Sequence, residues 1–291
     1  MSASRAAFWY FARREMLSSY VHRTSTMLNP YLPLPWLAAG LPPAIFHHFC
    51  NGSPCTDLVT AVVDDMNKDQ NAMTYIMIWL ATAVVRLISN DPEQEDIEVM
   101  SSVASPPLAN STSSDAARRG GSQAVQWRCL RDYLIWWFHN RPPVFHAYAV
   151  VQNSGRMKST SNLKTNFFAS SLGAAALQIY HFLQILLLLN PPSNHNADQA
   201  TRLRILRRNA EELEYHSREI CAIALGAPSF VLHRQMTHPL QLAGSCFDSS
   251  ADRKVILDLL KSAALQTYSP VEDVISSLLS QWQQSDSLQG I

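Results

Sequence analysis

One stretch limits what this chain can become. From Thr165 to Ala197 there is no Asp, Glu, Lys or Arg, and the middle reads NFFASSLGAAALQIYHFLQILLLLNPP, from Asn166 to Pro192. A segment this long and apolar either crosses a bilayer, which takes about 20 residues, or lies enclosed in a large core. Ser170, Ser171, Gln178, His181 and Gln184 interrupt it, and no Lys/Arg cluster flanks either end to orient it in a membrane. It stands as the single segment of its kind, so the expectation is a buried central helix and no membrane partner. Gly173 and Ala174 to Ala176 would permit close helix approach, and Leu186 to Leu189 would fill a thicker end. Tyr180 and His181 then need partners inside the protein.

The rest of the chain can supply that enclosure. It has 291 residues, enough for a substantial core, and we expect a single domain over 1–291. Its 23 basic residues (18 Arg, 5 Lys) balance 23 acidic ones, which gives no electrostatic reason to bind nucleic acid or anionic lipid directly. Five cysteines, Cys50, Cys55, Cys129, Cys221 and Cys246, are odd in number and scattered, which points to a reducing compartment and no disulfide framework. The opening MSASRAAFWYFARREM has a short apolar segment ending in Arg13, Arg14 and Glu15. It reads as an amphipathic helix instead of a secretory leader, so an intracellular location is expected.

Helical periodicity dominates, and no alternating strand segment is evident. The fold class expected is all-α: a multi-helix array with proline-rich connectors and two polar loops. Phe8, Phe11, Ala12, Met16 and Tyr20 can share one face between Ala6 and Val21. NPYLPLPWLAAGLPP cannot be regular helix throughout, because each proline removes a backbone donor. Asp57 to Leu87 reads as one long helix or two short ones. Residues 89–123 turn acidic, then Ser/Pro/Ala-rich, and are expected to form a disordered loop; a weak activation segment at Asp91 to Glu98 is the less favoured reading. Helix resumes in AVQWRCLRDYLIWWFHN and stops at Arg141-Pro142-Pro143, and NSGRMKSTSNLKTN forms the second polar loop. In the next helix Arg207 with Glu211 and Arg208 with Glu212 sit four apart, with Leu203, Leu206, Ala210, Leu213 and Ile220 as the buried face and Gly226 and Pro228 as the stop. Two further helices carry the stripes Val255, Ile256, Leu259, Leu260, Ala263 and Val271, Val274, Ile275, Leu278, Trp282. Ser269, Pro270 and Glu272 open the second of them as a capped start.

Few constellations carry chemistry. Asp64, Asp65 and Asp69 invite comparison with aspartate-rich motifs that hold magnesium and a diphosphate in all-α isoprenoid enzymes, the alternative to a regulatory role. That chemistry needs a second polar cluster at four-residue spacing, but Asn209 is followed at that spacing by Leu213 and Ser217. His47, His48, Cys50 and Cys55 are soft ligands without a second Cys/His pair nearby, so a zinc site is not expected. No G-x-S-x-G elbow and no glycine-rich phosphate loop occurs. The expectation is no enzyme, no cofactor and no catalytic residue.

Read in order, several segments resemble the fungal-specific transcription factor domain that lies C-terminal to binuclear zinc clusters. They are AAFWYFARREMLSSYV with Trp9, then Trp36 after the proline connector, and WRCLRDYLIWWFHNRPPVF with Trp127, Trp137, Arg141 and Pro142. The charge-free stretch with Tyr180 and His181, HSREICAIALG with His216 and Arg218, and HPLQLAGSCF follow. The resemblance spans nearly the whole chain, and its motif residues read as packing residues. It implies a nuclear regulator of gene expression, of metabolic or secondary-metabolite genes, partnered by other transcription factors or co-regulators as a homo- or heterodimer. The family's six-cysteine zinc cluster is absent from this chain of five cysteines, so direct sequence-specific DNA binding is not expected. A small apolar effector in the helical array is a further reading.

Overall fold

The computed structural model describes residues 3–50, 71–89, 114–152, 161–192, 199–226, 230–267 and 271–289. Over them the chain forms ten α-helices and one short β-ribbon, so the protein is all-α in class. The helices are α1 (Ala3–His22), α2 (Pro33–Ala38), α3 (Pro43–Cys50), α4 (Ala72–Ser89) and α5 (Ser114–Asn140). After the ribbon come α6 (Ser171–Leu189), α7 (Gln199–Leu225), α8 (Phe230–Gly244), α9 (Ser250–Thr267) and α10 (Glu272–Gln289). The chain divides into two compact units, one of Met1–His139 with Leu189–Asn196, the other of Asn140–Leu188 with Ala197–Ile291.

In the first unit α4 is buried at fifteen of its eighteen positions, as a helix apolar all round must be. It is thus a second helix long and apolar enough to span a bilayer, which corrects the expectation that the stretch at α6 stands alone. In both helices more than four-fifths of the apolar window is buried within the protein, as in core helices. The helix α1 packs on α4 through Trp9, whose ring stacks on Tyr75 at 4.4 Å. The buried face of α1 is Trp9, Ala12, Glu15, Met16 and Ser19; it keeps Ala12 and Met16 of the expected face, whereas Phe11 points outward. The reason is local: Trp9 buries more area than Phe11, and Glu15 goes inward because Met27 N and Ser19 Oγ donate to its Oε1 at 2.6 and 3.1 Å.

The proline connector is held by side-chain donors, since its prolines supply none. Trp36 Nε1 donates to Asn29 O (2.9 Å), Trp79 Nε1 to Pro30 O (2.9 Å) and Arg86 Nη1 to Thr26 O (3.1 Å). Helix α2 closes at Gly40 with φ +92°, where Leu41 N reaches Trp36 O and Gly40 N reaches Leu37 O, the paired bonds of a Schellman end. A side chain at Gly40 would be strained and would also strike Arg5, whose Nη2 would lie 1.8 Å from the added Cβ. Helix α5 opens at Ser114, inside the segment 89–123 expected to be a loop; Ala116 and Ala117 favour helix there. Residues 90–113, with the acidic stretch Asp91 to Glu98, lie outside the described residues.

The second unit opens with the ribbon, β1 (Ala147–Val151) antiparallel to β2 (Thr165–Phe168), with a bulge between Ala147 and Ala149. This overturns the expectation of no strand and shortens the charge-free helix, whose first residues Asn166 to Phe168 are β2. Strands of five and four residues are too short for alternation to register, although Val150, Val151, Phe167 and Phe168 are good strand formers. Ser170 caps α6 by accepting Gly173 N at 3.0 Å. From Gly173 to Leu188 every residue of α6 is buried. Helices α7, α8 and α9 pack on one another and α10 lies against α8. Gly244 permits that closeness, because a Cβ there would meet Ile256 and Leu278 at 3.2–3.3 Å. The α9 and α10 stripes face inward through Ile256, Leu260, Ala263, Val271, Leu278 and Trp282. In α7 the expected Ala210 is exposed; Asn209 instead turns inward, donating to Leu188 O at the end of α6.

Candidate functional site

Four of the motif residues lie in the first unit and six in the second. In the first, Trp9 and Trp36 meet with ring centroids 5.7 Å apart, and Phe8 stands edge-on to both. Trp9 Nε1 and Arg5 Nε both donate to Ala39 O, at 2.9 and 3.0 Å. Trp137 is fully buried and donates to Met73 O at 2.8 Å, near the start of α4. Trp127 is half-buried on α5, with the Arg131 guanidinium 5.4 Å from its ring centroid. Trp9, Trp36 and Trp137 combine large buried area with one N–H aimed at a loop or helix-end carbonyl.

In the second unit α6 and α7 bring Tyr180, His181 and His216 together. His181 Nδ1 and His216 Nδ1 lie 2.8 Å apart, a hydrogen bond in which one ring must donate and the other accept. Both imidazoles are buried, and Tyr180 and Tyr215 stand edge-on to the pair. Burial holds His181 well below the ordinary histidine range, with His216, Arg141 and Lys164 pushing the same way. His181 therefore sits neutral. Tyr215 is raised by burial and by Glu219, partly offset by Arg141. Arg141 itself is lowered by burial, and Pro142, half-buried beside it, begins the turn that takes the chain from α5 into Phe145 and the ribbon.

One turn along α7, Glu219 binds the ribbon: Asn166 Nδ2 donates to its Oε2 at 3.0 Å and Lys164 forms an ion pair with it. Arg218 faces elsewhere, donating to Glu214 Oε1 (2.9 Å) and Asp252 Oδ2 (3.4 Å) with its guanidinium 5.9 Å from the Phe247 ring centroid. Buried Asp252 also accepts from Ser161, and neighbouring Arg253 grips Asp286 (2.8 Å) and Phe247 O (2.8 Å) over the Trp282 ring. The sequence singled out His216 and Arg218 but passed over Lys164, Asn166, Glu219 and Asp252. Glu219 alone carried a signal, its spacing of one helical turn from His216, which places both on a buried face.

Among the described residues this arrangement ties helices together and keeps both imidazoles enclosed. A general base must reach a substrate, and the imidazoles of His181 and His216 are enclosed. Cys221, on the same helix, is fully buried and its thiol is pushed far above the ordinary thiol range, first by burial and then by Asp252, so it supplies no thiolate. His48 Nδ1 lies 2.9 Å from Tyr133 Oη, and His47 stands edge-on to Phe46. Among the described residues no group of three or more His, Cys, Asp or Glu could hold a metal ion. Asp64, Asp65, Asp69 and Cys55 lie outside the described residues.

Comparison with known proteins supplies one informative similarity. The chain is 25% identical, over an alignment of 299 residues, to the transcription activator AMTR1 of Alternaria alternata. The alignment covers 98% of this chain and 36% of that relative, so the chain spans about a third of the relative's length. No protein-family model matches the chain. No solved structure matches it either. The similarity supports a role in transcription, and the relative is a fungal protein.

Proposed function

We propose that this chain is a helical regulatory domain of the fungal transcription-activator type, which controls gene expression through protein contacts and not through catalysis. The observation that carries the reading is the similarity to a transcription activator along 98% of the chain. The enclosed histidine pair and the ordered motif series agree with it, because both are used for packing. On this reading the chain works in the nucleus, with other transcription factors or co-regulators as partners, on metabolic or secondary-metabolite genes. Its five cysteines cannot build a six-cysteine cluster, so DNA would be read by a partner or by another part of the protein. Tethering tests this directly. Fused to a heterologous DNA-binding module, the chain should change transcription of a reporter bearing that module's sites. A well-expressed nuclear fusion that leaves the reporter at the level of the module alone would contradict the reading.

A further inference from the structure

We propose that Ser161 is a phosphorylation site for a serine kinase that selects basic flanks, and that its phosphate exchanges a tie to Asp252 for an ion pair with Arg218. The hydroxyl stands at a charged junction. Ser161 Oγ donates to Oδ1 of Asp252, a carboxylate buried in the first turn of α9. It also accepts from Leu163 N at 3.2 Å, in the turn that leads into β2. The other oxygen of Asp252 takes Arg218 Nη2 of α7 at 3.4 Å. One hydroxyl proton thus joins the entry of the ribbon to the α9 carboxylate that also holds α7.

The flanking sequence selects the class of enzyme. From Tyr133 to Ala197 the chain has no Asp or Glu, and its Arg and Lys there are Arg141, Arg156, Lys158 and Lys164. Arg156 and Lys158 stand five and three residues before Ser161, and Lys164 three after it. Asn162 follows the serine, so a kinase that needs proline there, or acidic residues downstream, finds neither. An acidic substrate groove is what such flanks fit. Ser161 is half-buried, not enclosed.

The chemistry then sets the outcome. In the transfer Oγ bonds to the γ-phosphorus of ATP and the hydroxyl proton passes to the kinase's base. The bond from that phosphorus to the bridging oxygen breaks, and ADP leaves. The ester oxygen keeps no proton to donate to Asp252, and a phosphate of charge about −1.5 to −2 repels that carboxylate. Arg218 already sits on the same carboxylate, and its side chain is 35% exposed, which leaves it room to turn. A guanidinium on phosphate oxygens makes a stronger pair than its single 3.4 Å bond to Asp252.

The test uses the full chain, magnesium and ATP, with the catalytic subunit of cyclic-AMP-dependent protein kinase as the basic-directed probe and tandem mass spectrometry to map sites. Phosphate is expected on Ser161, and Arg156→Ala combined with Lys158→Ala should slow its addition at least about tenfold. Phosphorus NMR of the phosphorylated chain should place the second ionisation of phosphoserine below its ordinary value of about 6, and Arg218→Gln should return it toward that value. Circular dichroism reports folding, and the titration of the otherwise wild-type phosphoprotein keeps the test open if Arg218→Gln does not fold. No phosphate on Ser161, phosphate on Ser159 or Thr160 alone, a titration midpoint at or above about 6, or a midpoint that Arg218→Gln leaves unmoved would overturn the proposal.

Discussion

The imidazoles of His181 and His216 share one hydrogen bond in a site with cationic neighbours, which gives stability a direction with pH. The folded state holds His181 neutral well below the ordinary value of 6.5, whereas the unfolded chain titrates near that value. Below pH ~6.5 the unfolded chain binds a proton that the folded chain excludes. The contribution is therefore full above that pH and is lost as pH falls toward the depressed folded value, at up to about 1.4 kcal/mol per unit. Urea midpoints should match at pH 8 and 7 and drop at pH 5.5, and the drop should shrink when His181→Phe and His216→Leu are combined. An equal drop in the double variant would refute the assignment. His216→Ala alone should lower stability by about 1–3 kcal/mol at pH 8, because a buried ring nitrogen loses its partner. That Tyr180 and His181 would need internal partners was legible in the sequence, since polar groups in an all-apolar run must be satisfied. That His216 would satisfy His181 was not, because it reaches that place only through the packing of the unit.

At the scale of elements, side chains do the work that prolines and short strands leave undone. Trp36→Phe keeps an aromatic ring but removes the donor to Asn29 O, and should lower unfolding free energy by about 1–2 kcal/mol in urea titrations. Gly226→Ala would force the end of α7 away from β2, because the atom it strikes is backbone. Destabilisation of about 1–3 kcal/mol is expected, with faster amide exchange across Thr165–Phe168; wild-type exchange there would contradict the contact. Helices with long periodic stripes, such as α9 and α10, could be read from sequence alone. The ribbon could not, because strands of four and five residues carry no usable period. On α1 the pattern gives Ala12 and Met16, but Trp9 and Phe11, two residues apart, point to nearly opposite sides, and the inward turn of Glu15 depends on Met27, which no helical period shows. The donors that hold the proline connector were visible as tryptophans and not as donors, since their acceptors are backbone carbonyls, which any sequence contains.

Among the described residues, the charge-free stretch supplies one of two long apolar core helices, one in each compact unit. The candidate site is a set of ties that fix helices. Its buried imidazoles, indoles and ion pairs put residues that are far apart in the sequence to work in packing. The role in gene expression is the central claim, and transcript profiling after deletion of the gene, with the wild-type chain restored as control, tests it most directly. The account predicts a defined set of transcripts that shift on deletion and return on restoration. Transcripts that do not change on deletion, with the protein expressed under the conditions sampled, would contradict it.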